Sequence, residues 1–376
     1  MDNPVVNIYH FSSDLVVLND IWTVYTINDK TLDLAEKILA ELPGVHIGFP
    51  YISHMSSAHP LPEPGTGNHI SFIGSVSVLP GLKHILHVVR VKSAHERELI
   101  TSIHLDKMPY IHSFSVTKKY IMMIGSPYYF DVDQMIEKLS VGSAMKWEKG
   151  EPAVIYVIDL TNGSTRSFKT ETMFSMHHIN AFEIDNNRLA MDVVAYSEAN
   201  SFSAMSLEYL RNETQRDEFT SPSQIRRYTV DLRSGIVNTA TFQNFSIQPL
   251  ASQIELPTIN ENYRFRNYCY VYSVMYKADN KSYSNMAIMK KDLCHVGSKS
   301  RDKIWCAKHH YLNEAWFVPN PAATEEDDGV LVFPVFDGVN KTSYLAMLDA
   351  NTMKLVNRAY MPTLVPFTFH GRLFHS

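Results

Sequence analysis

A loose repeat of paired strands constrains this chain more than any other feature. An apolar strand runs into an Asp or Asn, a short turn follows, and a second strand leads away. The pattern reads YTINDKTLDL from Tyr25, YVIDLTNGST from Tyr156, YTVDLRSGIV from Tyr228 and AMLDANTMKL from Ala346. Asx side chains cap such turns, and Gly163 and Gly235 can supply the positive φ that a hairpin turn needs. Each copy therefore predicts a β-hairpin. Short apolar runs at 154–158, 189–195, 270–276, 330–336 and 344–348 add to an all-β reading. Hairpins recurring over 376 residues suggest radial repetition and hence a propeller, with a pair of β-sandwiches as the alternative. Two segments, 130–139 and 203–211, carry helical spacing instead; excursions of this kind suit short helices and loops capping one face. Nothing resembles a flexible linker, so a single domain over 1–376 is expected.

Composition narrows the function. With 45% hydrophobic and 19% charged residues the chain can bury a large core. A net charge of -5, with no cluster of Lys and Arg, argues against a nucleic-acid-binding surface. The three cysteines, Cys269, Cys294 and Cys306, have no metal-like spacing, which predicts no disulfide framework and a reducing, cytoplasmic setting. The first residues lack a basic stretch followed by an apolar one, and no apolar run reaches the length of a membrane span. Five Asn-x-Ser/Thr sequons, Asn162 and Asn244 among them, then read as chance.

Histidine is the unusual component, at 17 residues. Four contexts stand out: SSAHPLPEPGTG around His59, MPYIHSFSVT around His112, FSMHHINAFE around His177 and His178, and FTFHGRLFHS around His370. Any one of these, taken alone, reads as a satisfied core or surface residue. Together they suit a metal site assembled from distant strands. Neutral imidazoles suit Fe, Zn, Cu or Ni, so they define a site without defining its metal.

In this order the four contexts resemble the metal-binding signatures of the carotenoid cleavage oxygenases. That family includes the animal β-carotene oxygenases and the retinoid isomerase of the retinal pigment epithelium. AHP at 58–60, YIHSF at 110–114, HHIN at 177–180 and FHG at 369–371 carry the match; IELPTIN, NEAWFVPNP and EEDDGV place it near the animal branch. The resemblance implies a seven-bladed β-propeller and Fe(2+) held by His59, His112, His177 and His370. Plant relatives keep only the histidine three positions before the Asn, which assigns the ligand of the adjacent pair to His177. Successive strand residues face opposite sides, so His178 is left to packing or hydrogen bonding. His309 and His310 have no counterpart and read as surface. The resemblance also implies acidic residues behind the ligands: Glu255, Glu314 and Asp20. A carboxylate accepting the far ring N–H fixes the tautomer of a ligating histidine and raises its basicity. The acidic run 325–328 lacks such a setting and reads as an exposed loop.

Two departures from the family pattern shape the expectations. Asp20 stands where the animal members have Glu and is one methylene shorter. Its carboxylate is expected to reach a histidine only through a water or a shifted strand. The first residues align inside the usual family sequence, so an N-terminal segment is absent. That implies an incomplete ring whose strands near 330–360 lack partners. The activity implied is an iron(II) dioxygenase cleaving a carotenoid or apocarotenoid double bond with O₂ to aldehyde or ketone products. No catalytic residue beyond the metal centre is expected. Within the family the alternative is a retinyl-ester isomerohydrolase on the same iron; outside it stands a non-catalytic carotenoid-binding homologue. A zinc hydrolase fits less well, since zinc sites usually involve cysteine, carboxylate or only three histidines. The implied partners are a carotenoid or retinoid and O₂, with peripheral membrane contact to extract the substrate.

Overall fold

The hairpin turns follow one rule of backbone chemistry. Asn28 Oδ1 accepts the N–H groups of Lys30 and Thr31, each at 2.9 Å. Asp159 accepts from Thr161 at 2.8 Å, Asp231 from Arg233 and Ser234 at 2.8 and 2.9 Å, and Asp349 from Thr352 at 2.7 Å. Four residues beyond each Asx the chain swings to positive φ: Leu32 at 60°, Gly163 at 70°, Gly235 at 78° and Met353 at 58°. The repeat recurs once more, with Asp337 capping Val339 and Asn340 and Lys341 at 56°. The side chain holds the turn, and the positive-φ residue restores the strand twist.

The computed structural model describes residues 6–45, 48–138, 144–201, 207–244, 246–366 and 369–374. They fall into two compact units, 1–176 and 177–376. Among the described residues the first unit carries three antiparallel sheets of four or five strands, besides a two-stranded ribbon. One spans 7–38 with its four strands paired in chain order. The second spans 51–105, where Tyr51–Ser56 and Leu61–Pro62 both pair with His69–Ser77. The third joins Ser115–Val116, Tyr120–Gly125, Val154–Asp159 and Thr165–Lys169. The expected helical excursion at 130–139 is the helix Val132–Lys138, set between the strands Tyr128–Phe130 and Met145–Trp147; Leu139 lies outside the described residues. The second unit carries sheets over 178–242, 253–306 and 310–360. Its excursion is the helices Leu207–Arg211 and Glu213–Glu218, and residues 203–206 lie outside the described residues.

Within a sheet, burial falls from the inner strands outward. Arg188–Tyr196 is buried from Leu189 onward, while Val237–Phe242, two strands away, is largely exposed. A strand covered on both faces reads as a continuous apolar run, which is why LAMDVVAY was legible as a strand.

Four expectations need correction. The resemblance implied seven blades, whereas the described residues form six propeller-type sheets. Every described strand outside the Tyr128–Trp147 ribbon is used in those six, so none remain for a seventh. The strands near 330–360 are not short of partners: Gly329–Asp337 pairs with His310–Leu312, Trp316–Pro319 and Thr342–Asp349, and the last pairs with Leu355–Tyr360. Cys269 and Cys294 form a disulfide, where none was expected. The hairpin register that sets Tyr270 opposite Asp292 brings them together, and that register cannot be read from cysteine spacing. The acidic run 325–328 is not simply an exposed loop. Glu326 accepts the N–H groups of Cys269 and Tyr270, and Asp327 is buried against Lys290 at 2.5 Å. Among the described residues no helix is long and apolar enough to cross a membrane.

Candidate metal centre

In the first unit, Ser57 organises the two histidines through their backbones. Its hydroxyl donates to the His112 carbonyl at 2.7 Å and accepts the His59 N–H at 3.0 Å. Ala58, between Ser57 and His59, has no exposed surface. The result sets His59 Nε2 and His112 Nε2 3.1 Å apart, with ring centroids at 4.8 Å. Asn7 Nδ2 lies 3.5 Å from His59 Nδ1.

Asp20 reaches His112 directly, with Oδ2 at 3.0 Å from Nδ1. The expected water or shifted strand is not needed. Ser56 N–H donates to the Asp20 carbonyl at 2.9 Å and Ala58 N–H to its carboxylate at 3.4 Å. Those bonds draw the Asp20 backbone towards the His59 segment, which makes up for the missing methylene. Burial would raise the Asp20 carboxyl, but the His112 ring, the Ala58 N–H and the Tyr110 hydroxyl outweigh it and hold it below the usual range. Tyr110 was quoted in the YIHSF motif without a role. Its hydroxyl donates to Asp20 Oδ2 at 3.3 Å and lies 2.9 Å from His112 Nδ1.

In the second unit His177 stands immediately before the strand His178–Glu183, its carbonyl held by Val194 N–H at 2.9 Å. Its Nδ1 donates to Glu255 Oε2 at 2.5 Å. Glu255 lies in Gln253–Thr258, where the register shifts between Glu255 and Thr258 and Leu256 takes φ 54°. A bulge re-aims a side chain in this way. Burial would raise the Glu255 carboxyl; the His177 ring, the Tyr196 hydroxyl and the Leu256 N–H together hold it low. His370 Nδ1 donates to Glu314 Oε1 at 3.1 Å, and Gly371 N–H to Oε2 at 3.3 Å. The His177 and His370 rings are 5.1 Å apart.

An ionised carboxylate can only accept, so it forces the proton of its histidine onto Nδ1. That leaves Nε2 of His112, His177 and His370 with a lone pair for a metal. The first unit thus pairs His59 with His112 as candidate ligands, and the second pairs His177 with His370. An all-imidazole donor set with carboxylates behind it fits a divalent transition metal, iron included. His178 is half-buried in its strand, and burial, with His177 beside it, pushes its ring down to about 3. His309 is exposed, whereas His310 is half-buried with Nε2 3.4 Å from Asp337.

The model of one protein family, retinal pigment epithelial membrane protein, matches residues 1–375. A carotenoid isomerooxygenase of Galleria mellonella is 24% identical over 391 residues, covering 98% of this chain and 72% of its own length. A beta,beta-carotene 15,15'-dioxygenase of Gallus gallus is 25% identical over 411 residues, covering 98% and 74%. Among solved structures, a variant of Synechocystis apocarotenoid oxygenase superposes with a TM-score of 0.77 at 20% identity, over 97% of this chain and 73% of that one. That likeness shows the all-β propeller fold.

Proposed function

This chain belongs to the retinal pigment epithelial membrane protein family, the family of the carotenoid oxygenases, and from that premise we propose that it is an iron(II) dioxygenase acting on a carotenoid or apocarotenoid. The reaction is cleavage of a polyene double bond with O₂ to aldehyde or ketone products. The observation that carries the reading is the pairing of His59 with His112 and of His177 with His370, with carboxylates behind three of the four. The names of the relatives, a carotenoid isomerooxygenase and a carotene dioxygenase, supply the substrate class.

The four imidazoles would hold the iron, which when bound would supply the redox chemistry that O₂ requires. The protein's own contribution is orientation and charge. Asp20, Glu255 and Glu314 keep Nδ1 protonated on three ligands, and the imidazoles themselves are neutral, so the ion keeps its positive charge. No proton shuttle is needed for cleavage of a carbon–carbon double bond, and none of the residues around the histidines is assigned one.

Incubating iron-loaded protein with an apocarotenoid under ¹⁸O₂ tests this reading. Labelled aldehyde is the expected product. Conversion of a retinyl ester to a retinol, with no labelled aldehyde from any carotenoid, would instead establish the isomerohydrolase chemistry. A lipid-soluble substrate also implies contact with a membrane. Phe49, Leu79 and Leu82 are exposed on two loops joined by the bond from Val78 N–H to the Pro50 carbonyl. Co-sedimentation with phosphatidylcholine vesicles is expected to fall in Phe49→Ser, and equal sedimentation would remove this surface from the proposal.

A further inference from the structure

A directed chain of hydrogen bonds runs outward from His177 through residues that the ligand set does not use. His177 Nδ1–H donates to Glu255 Oε2 at 2.5 Å, and the Tyr196 hydroxyl donates to Glu255 Oε1. Gln253 Nε2 donates to the Tyr196 oxygen at 3.1 Å, and the Tyr283 hydroxyl donates to Gln253 Oε1 at 3.0 Å. Each link admits one direction only. Burial and the neighbouring Glu255 push the Tyr196 hydroxyl well up, so it stays a donor. The Gln253 amide is oriented by both neighbours, its oxygen towards Tyr283 and its nitrogen towards Tyr196.

Packing alone does not call for these polar atoms. Tyr196 is 1% exposed and Glu255 5%, and a phenyl ring at 196 would fill the same space at lower desolvation cost. What the hydroxyl adds is a partner for the second oxygen of a buried carboxylate, which would otherwise be left unsatisfied. Hydrogen bonds in series also polarise one another, so each outer link strengthens the inner one.

We infer that Tyr196 and Gln253 are positioning residues, fixing Glu255 in the orientation that accepts the His177 Nδ1–H and thereby tuning His177 Nε2 as a metal ligand. The inference rests on the reading of His177 as a ligand.

Two readouts on the full chain test it. Metal-free ¹⁵N-labelled protein reports the His177 Nδ1–H proton by NMR, assigned by its loss in His177→Gln. Cobalt(II) chloride titration reports affinity, and the visible absorption of the bound ion reports ligand strength. Tyr196→Phe is expected to move the proton signal, alter the cobalt spectrum and weaken binding about threefold to tenfold, less than the ~10–100-fold typical of a direct ligand partner. Gln253→Leu, at a half-buried position, is expected to act in the same direction and less strongly. It also decides the matter if Tyr196→Phe does not fold. An unmoved proton signal with wild-type cobalt affinity in both folded variants would overturn the relay. If the wild-type chain binds no cobalt, the metal reading fails, and the proton signal alone then judges the relay: a shift supports it and an unmoved signal overturns it.

Discussion

Replacing Glu255 with Gln keeps the side chain's volume but removes the charge that selects the Nδ1–H form of His177. The same holds for Glu314 and His370. Glu255→Gln and Glu314→Gln are each expected to weaken iron or cobalt binding roughly 10–100-fold, measured by competition with a chelator. Wild-type affinity in both would remove these carboxylates from the site. At this scale the sequence was informative about identity and silent about reach. The four histidines and three acids were legible from their motifs, while the direct Asp20–His112 contact depends on backbone bonds from Ser56 and Ala58 that no motif encodes. A histidine outside the motifs gives a separate prediction. Burial, reinforced by His104, pushes His87 down to about 4 in the folded chain, whereas the unfolded chain takes up the proton near the usual ~6.5. The unfolded state therefore binds more protons between those values. The stability due to neutral His87 is present above about pH 6.5 and is lost as pH falls towards 4, amounting to about 2 kcal/mol after allowance for screening. Denaturant unfolding near pH 7 and near pH 5 should show this loss, and His87→Gln should show less of it.

Among the structural elements, the hairpin turn is where sequence and structure agree most closely, and it can be tested by one pair of glycines. Both Gly163 and Gly235 take positive φ four residues after an Asp. A Cβ at Gly235 would meet nothing within 4 Å, whereas one at Gly163 would lie 2.5 Å from the Ile100 carbonyl oxygen. Gly235→Ala is expected to cost about 1 kcal/mol from backbone conformation alone. Gly163→Ala should cost more, because backbone must move to admit the methyl group. Equal losses in thermal unfolding would show that the Ile100 contact relaxes freely. The elements misread from sequence share one cause. Glu326 finds its partners at Cys269 and Tyr270, 57 and 56 residues away, and Asp327 finds Lys290 37 residues away. Local composition says nothing about pairings at that distance. Lys290 has no exposed surface and Asp327 almost none, so Lys290→Met should cost roughly 3–5 kcal/mol by stranding a buried charge. Lys290→Met with Asp327→Leu should recover much of that loss, and no recovery would mean that packing rather than charge sets the cost.

For the molecule as a whole, the repeat that predicted hairpins also predicted a propeller, because hairpins of this length bury their faces by stacking as blades. The blade count was beyond it. Copies of the repeat are unevenly spaced and one, at Asp337, was not recognised, so counting blades from sequence had to lean on the family pattern. The candidate ligands stood out at this scale only because four rare contexts occur in one chain in the family's order; each histidine alone would have been passed over. The claim that joins fold to function is that those four histidines together hold the iron on which carotenoid cleavage depends. The direct measurement is iron content and O₂-dependent aldehyde formation in the purified chain beside four variants, His59→Ala, His112→Ala, His177→Ala and His370→Ala. The account predicts stoichiometric iron and product in the wild type, with both lost or strongly reduced in each folded variant. Full iron and full turnover surviving the loss of any one of these histidines would contradict it.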